Sequence, residues 1–171
     1  VIHQNDVMKK LLTLLAACLL LNNGSLSAQR ILLKIASITP PAGEEVKAVE
    51  FKIDATATWV GGGGGTAGRA VFHDLLIKKT NNTSTNELFK KLVTGTYIPA
   101  VVLEYYNASN VLYFTITLKT VIVTNFFWLS PECPTCLKLD HQVAFVPKQI
   151  ETTDAVTGIT FKFDVSLNSI Y

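Results

Sequence analysis

The sequence predicts a mainly β fold, a small antiparallel barrel or sandwich with one α-helix packed outside. Three observations carry this. Val49, Phe51, Ile53, Ala55, Ala57 and Trp59 alternate with Glu50, Lys52, Asp54, Thr56 and Thr58, a period of two that gives a strand one apolar and one wet face. Ile159, Phe161, Phe163, Val165 and Leu167 alternate with Thr160, Lys162, Asp164 and Ser166 in the same way. Only the stretch from Ser84 to Gly95 carries a helical rhythm. Seven strands and one helix in so short a chain leave few ways to bury the apolar faces other than closing a sheet or stacking two.

The chain opens with an export signal. Met8-Lys9-Lys10 is a short basic start, Leu11 to Leu21 is apolar but for Thr13, and Asn22 to Ala28 is small and mostly polar. That order is a secretory signal peptide whose apolar run is too short to serve as a membrane anchor. Cleavage is expected near Ala28, and Val1 to Val7 read as residues upstream of the natural start. Leu15-Ala16-Ala17-Cys18 also fits a lipoprotein cleavage site, although Leu19-Leu20-Leu21 stand where polar residues are usual after a lipidated cysteine. The organisation is therefore 1–28, upstream residues and signal peptide, followed by a single domain over 29–171. No linker, charge block or repeat divides it. Residues 29–171 carry 13 basic and 12 acidic side chains, so no clustered basic face for nucleic acid is expected. No stable membrane insertion is expected once the signal is removed.

Strands follow at Ile31 to Ser37 and Val49 to Trp59. Between the latter and the next strand, Val71 to Lys79, lies Gly61-Gly62-Gly63-Gly64-Gly65-Thr66-Ala67-Gly68-Arg69, six glycines in nine residues. Glycine reaches backbone angles closed to other residues and costs more entropy to order. A phosphate-binding loop would need Gly-Lys followed by Ser or Thr and then a helix. Here Gly68 is followed by Arg69-Ala70 and a strand pattern, so no nucleotide site is expected. Two readings remain, an unsupported hairpin tip and a loop ordered by contact with another protein.

Ser84-Thr85-Asn86-Glu87 has the form of a capping box. Leu88, Phe89 and Leu92 fall on one face of the helix it starts, Lys90-Lys91 suit its closing dipole, and Gly95 stops it. Strands then run from Ala100 to Tyr106, Leu112 to Thr124 and Leu139 to Val146, with a turn at Asn107 to Asn110 between the first two.

Phe126-Phe127-Trp128 stand in succession near an expected loop, in a segment that runs on to Cys133-Pro134-Thr135-Cys136. The aromatics there either cover one barrel end or form a contact patch. Cys133 and Cys136 lack further cysteines to complete a zinc site, and no α/β pattern supports a thioredoxin-like role. After export the expected state is a local disulfide. Neither a catalytic residue nor a cofactor is predicted. His73 and Asp74 are neighbours on a strand and point to opposite faces. No nucleophile-elbow motif or His-x-x-x-His pair is present.

Taken together, the glycine stretch, the strand Ala70-Val71-Phe72-His73-Asp74-Leu75-Leu76-Ile77-Lys78-Lys79, the lone helix, Gly95-Thr96-Tyr97-Ile98-Pro99 and the strand Tyr113 to Val123 with Thr117-Leu118-Lys119 resemble the haemolysin-coregulated proteins, Hcp, across nearly all of residues 30–168. The resemblance implies a compact β-barrel with one helix, acting as a structural subunit and not an enzyme. It implies hexameric rings stacked into the hollow tube of a bacterial type VI secretion system, with effector proteins as possible cargo in the lumen. It makes Gly61, Gly62, Gly63, Gly64, Gly65, Thr66, Ala67, Gly68 and Arg69 the candidate ring-stacking loop. Two features depart from the family pattern, the signal peptide and the Phe126 to Cys136 segment. The signal points to a second reading, a protein exported first that builds a tube or fibre outside the cell, or in the periplasm, without a contractile sheath. A monomeric secreted β-barrel that binds a ligand is a third.

Overall fold

The computed structural model describes residues 29–60, 64–129 and 138–171. Three long antiparallel strands form its spine, β9 (Ile98–Tyr106), β10 (Leu112–Leu129) and β11 (Asp140–Asp154). β1 (Arg30–Lys34) pairs with the free side of β9. The chain then turns at Gly43, whose φ of 87° suits a residue without a Cβ. It returns as β2 (Glu44–Val46) and β3 (Ala48–Glu50).

That returning segment rounds off the barrel. Its first half pairs with β1, Ile31 opposite Val46. Its second half pairs with β8 (Leu75–Thr80), Val49 opposite Ile77, and the Lys47 amide donates to the Lys78 carbonyl at 2.8 Å between the two ladders. β8 in turn pairs with the first half of β11. No single continuous ladder closes the sheet, but the pairings lead from β1 through β9, β10, β11 and β8 back to the strand beside β1. β12 (Thr160–Asp164) takes the second half of β11 and carries the short edge strand β13 (Ser169–Ile170). The expected mainly antiparallel β fold with a single helix is what the described residues form.

Alternation fills the interior. Leu33, Leu75, Ile77, Val101, Leu103, Leu118, Val143 and Phe145 are wholly buried in one apolar cluster. Helix α1 (Thr83–Thr94) contributes Leu88 to the same cluster, a burial worth about 2 kcal/mol. The helix ends at Gly95, in the left-handed region at φ 62°, as its position in the sequence predicts.

Several expectations need correction. The helix is capped two residues earlier than expected. Asn82 is the N-cap and Thr85, not Glu87, closes the capping box, because Ser84 is buried and bonded to Glu44 and Lys79 instead. The strand expected from Val49 to Trp59 is three short ones. It leaves the main sheet after β3 and continues as β4 (Ile53–Asp54) and β5 (Ala57–Val60). The strand expected from Val71 to Lys79 is likewise broken at His73-Asp74. Phe126, Phe127 and Trp128 are not in a loop. They prolong β10, with Phe126 opposite Val143 and Trp128 opposite His141.

Candidate assembly interface

Between β3 and β8 the chain makes an excursion away from the barrel. β4 pairs with β7 (Val71–Phe72), and β5 pairs with β6 (Gly64–Ala67), in two separate two-stranded ladders. The Gly68 amide donates to the Thr56 carbonyl between them, and the His73 amide to the Lys52 carbonyl at 3.0 Å at the root. The result is a β-ribbon arm that neither ladder ties to the main sheet. Gly61, Gly62 and Gly63 lie outside the described residues, as do residues 1–28, with the expected signal, and Cys133 and Cys136. The second half of the glycine stretch is thus a strand rather than a loop.

Glycine is favoured by crowding at one point of this arm. A Cβ on Gly68 would sit 2.1 Å from the Thr56 hydroxyl and 3.2 Å from the Thr56 carbonyl. A side chain there would have to push the Thr56 hydroxyl aside and sit tightly against the Thr56 carbonyl. Arg69 follows, exposed, as the first charge after the glycines.

The arm has two unlike faces. One carries charge: Lys52 lies 2.8 Å and His73 Nε2 2.9 Å from the Asp54 carboxylate. Lys52 first, then His73, holds that carboxyl below its ordinary range. All three groups are solvent-exposed, so the cluster contributes little stability. His73 therefore pairs across the ribbon with Asp54 and not with its neighbour Asp74, which accepts a hydrogen bond from Thr124 at 2.7 Å. The other face is apolar. Ile53 stands opposite Phe72 in the ladder, and cross-strand partners share a face. Residues 52–57 are exposed throughout, so their alternation does not reflect burial within the protomer. A two-stranded ribbon is marginal in water by itself.

At the other end of β8 lies a buried polar cluster that the sequence did not reveal. Lys79 is fully buried, and its ammonium donates to Glu44 and Ser84, both at 2.5 Å, and to Asn82 at 2.7 Å. Three acceptors use all three of its protons. Beside it His141 is fully buried, stacked on Phe126 at 4.7 Å, with neither ring nitrogen partnered by a protein group. Burial, reinforced by the Lys79 charge, lowers its pKa to about 4. Helix α1 starts on this cluster, which ties β2, β8 and the helix together. Among the described residues no group of three or more His, Cys, Asp or Glu side chains could hold a metal, and no helix is long and apolar enough to cross a membrane.

Comparison with known proteins places this architecture. No curated protein matches the chain. Among solved structures, Hcp1 from Salmonella typhimurium superposes with a TM-score of 0.69 at 21% identity, covering 84% of this chain and 99% of that one. A structure described only as a type six secretion system protein gives 0.72 at 15% identity over 84% and 100%. The secreted protein Hcp3 from Pseudomonas aeruginosa gives 0.57 at 14% identity over 80% and 96%. At such identities the likeness establishes the shared fold. Membership comes from the family model described as type VI secretion system effector, Hcp, which matches residues 43–163. That span runs from the Gly43 turn through the arm, the helix and the spine into β12. The chain belongs to the Hcp family, the structural tube subunits of type VI secretion systems, which are exported proteins that assemble with copies of themselves.

Proposed function

We propose that residues 29–171 form a ring-building subunit, that the rings are hexameric, and that the arm from β4 to β7 stacks one ring on the next to make a hollow tube able to carry effector proteins. The observation that carries this reading is the arm itself. It is a ribbon whose two ladders join it to no strand of the main sheet, packed on the core at its root through Phe72 and exposed along residues 52–57. Such a segment is ordered most simply by a neighbouring subunit. A head-to-tail contact closes into a ring when its rotation permits, and a ring of that kind has two different faces, one of which can meet the next ring. The sequence from Met8 to Ala28 favours a variant of this function in which the subunit is exported before it assembles, outside any contractile sheath. Light scattering of the purified 29–171 chain tests the reading. Particles of ring mass or larger are expected, and a monomer at high concentration would refute it.

A further inference from the structure

The far end of β10 is an edge. From Phe114 to Val121 the strand lies between β9 and β11, but among the described residues Ile122 to Leu129 pair with β11 alone. The ladder is interrupted between Val123 and Asn125, and there the Thr124 hydroxyl donates to the Asp74 carboxylate at 2.7 Å. Beyond that break Phe126 stands opposite Val143 and Trp128 opposite His141, so both rings share the face of the sheet that carries the imidazole. They cover it. The His141 ring stacks on Phe126 at 4.7 Å and lies 5.8 Å from Trp128. It is wholly buried, although Trp128 itself is 44% exposed. Phe89 of α1 meets Phe126 edge-on at 5.6 Å. The segment from Asn125 to Leu129 is thus a single layer over a titratable group.

We propose that residues 125–129 are a lid that acid releases: when His141 takes up a proton, the segment peels from β11 about the Val123–Asn125 break while the rest of the barrel stays folded. A protonated imidazole needs two acceptors, because both nitrogens then carry hydrogen. Neither nitrogen has a protein partner, and the groups around the ring are committed. On β8, Lys79 brings a like charge. On β2, one Glu44 oxygen accepts from Lys79 and Ser84, and the other makes no hydrogen bond to the ring. Beside His141 on β11, Asp140 accepts from Lys47 and Thr80. β10 presents Phe126 and Trp128, which carry no charge, and α1 reaches this layer through Phe89. The new charge therefore needs water. β8 is paired on both sides, with β11 and β3, and is pinned by the Lys79 bonds, whereas the end of β10 has one ladder to break. Lifting that end is the least disruptive way to hydrate the ring. The closed state holds the imidazole neutral, its pKa lowered from 6.5 to about 4 by burial and then by Lys79. Closure is therefore fully favoured above pH 6.5 and loses ground as pH falls toward 4.

Native-state hydrogen exchange of the 29–171 chain tests this, at pH 7 and 5, below the concentration of assembly and corrected for the intrinsic pH dependence of exchange. The opened population of residues 125–129 should rise about twentyfold from pH 7 to pH 5. Low concentrations of urea separate a lid from whole-domain unfolding, because urea sensitivity scales with the surface exposed. Exchange at 125–129 should be faster than at Val101 and Leu103 in β9 and nearly independent of urea, while exchange at β9 should rise with it. His141→Phe, which has no proton to take up, should keep the fast exchange of 125–129 nearly equal at the two pH values. Protection and urea slope at 125–129 matching those of β9 would overturn the proposal, since the segment would then open only with the whole domain. An opening of 125–129 that is unchanged between pH 7 and 5, or a wild-type response retained in His141→Phe, would overturn it as well.

Discussion

Acid should weaken this fold through one residue, His141. Its ring is fully buried between Phe126 and the Lys79 cluster, with Trp128 at 5.8 Å. The charged groups that act on it are Lys79, which opposes protonation, and Asp140 and Glu44, which only partly offset it. Desolvation is the largest cause, and the folded-state pKa falls from 6.5 to about 4. The folded protein therefore keeps the ring neutral where the unfolded chain binds a proton. Stability from this source is complete above pH 6.5 and is lost as pH falls toward 4. The full shift corresponds to about 3 kcal/mol, of which about 2 kcal/mol is gone at pH 5. Carboxylates with depressed values, Glu44, Asp140 and Asp164 among them, lose their stabilisation at lower pH, because their unfolded forms titrate near or below 4.5. The interval from pH 7 to 5 thus isolates histidine. Urea unfolding of the 29–171 chain at both values, at a concentration below assembly, measures the difference. His141→Phe keeps the ring stacked on Phe126 and removes two unpartnered nitrogens, so it should be at least as stable at pH 7 and should lose most of the pH dependence. A wild-type protein equally stable at pH 7 and 5, or a variant with the wild-type slope, would refute the argument.

Two other perturbations follow. Lys79→Met should cost roughly 3–5 kcal/mol by leaving the Glu44 carboxylate buried without its cation, and adding Glu44→Leu should recover much of that; thermal unfolding of the single and double variants checks both. Cys133 and Cys136 should resist a thiol-labelling reagent in the exported protein until reductant is added, if export lets the expected local disulfide form between them; complete labelling without reductant would contradict that expectation.

Much of the fold was legible because alternation and punctuation agree. The strand from Ala100 to Tyr106, the turn at Asn107 to Asn110 and the helix stop at Gly95 each follow from local chemistry. The misreadings have physical causes. In β10 the inward residues are Ile116 and Leu118, then Val121 and Val123, so the alternation changes phase. Thr120 makes the change by adopting φ 50°, in the left-handed region where a β-branched residue is rare, and no rule of composition marks it. A further irregularity between Val123 and Asn125 shifts the phase again and lets the strand run on to Leu129. The period-two pattern from Val49 to Trp59 was real, but alternation says only that one face is apolar. It does not say which molecule covers it. Lys79 and His141 look like ordinary strand residues in the sequence. Lys79 is enclosed where the start of helix α1 meets β2, and His141 lies beneath Phe126 and Trp128 of β10, tertiary facts that the local pattern does not encode. The glycine stretch was the part of the candidate site most open to sequence reading.

The claim that the arm joins one ring to the next is tested most directly by electron microscopy of the 29–171 chain beside a variant lacking Gly62 to Gly65. The variant shortens the ribbon without touching the barrel core or the Lys79 cluster. The account predicts stacked tubes for the wild type and separate rings for the deletion, with ring diameter unchanged. Tubes of equal length from both proteins would contradict it.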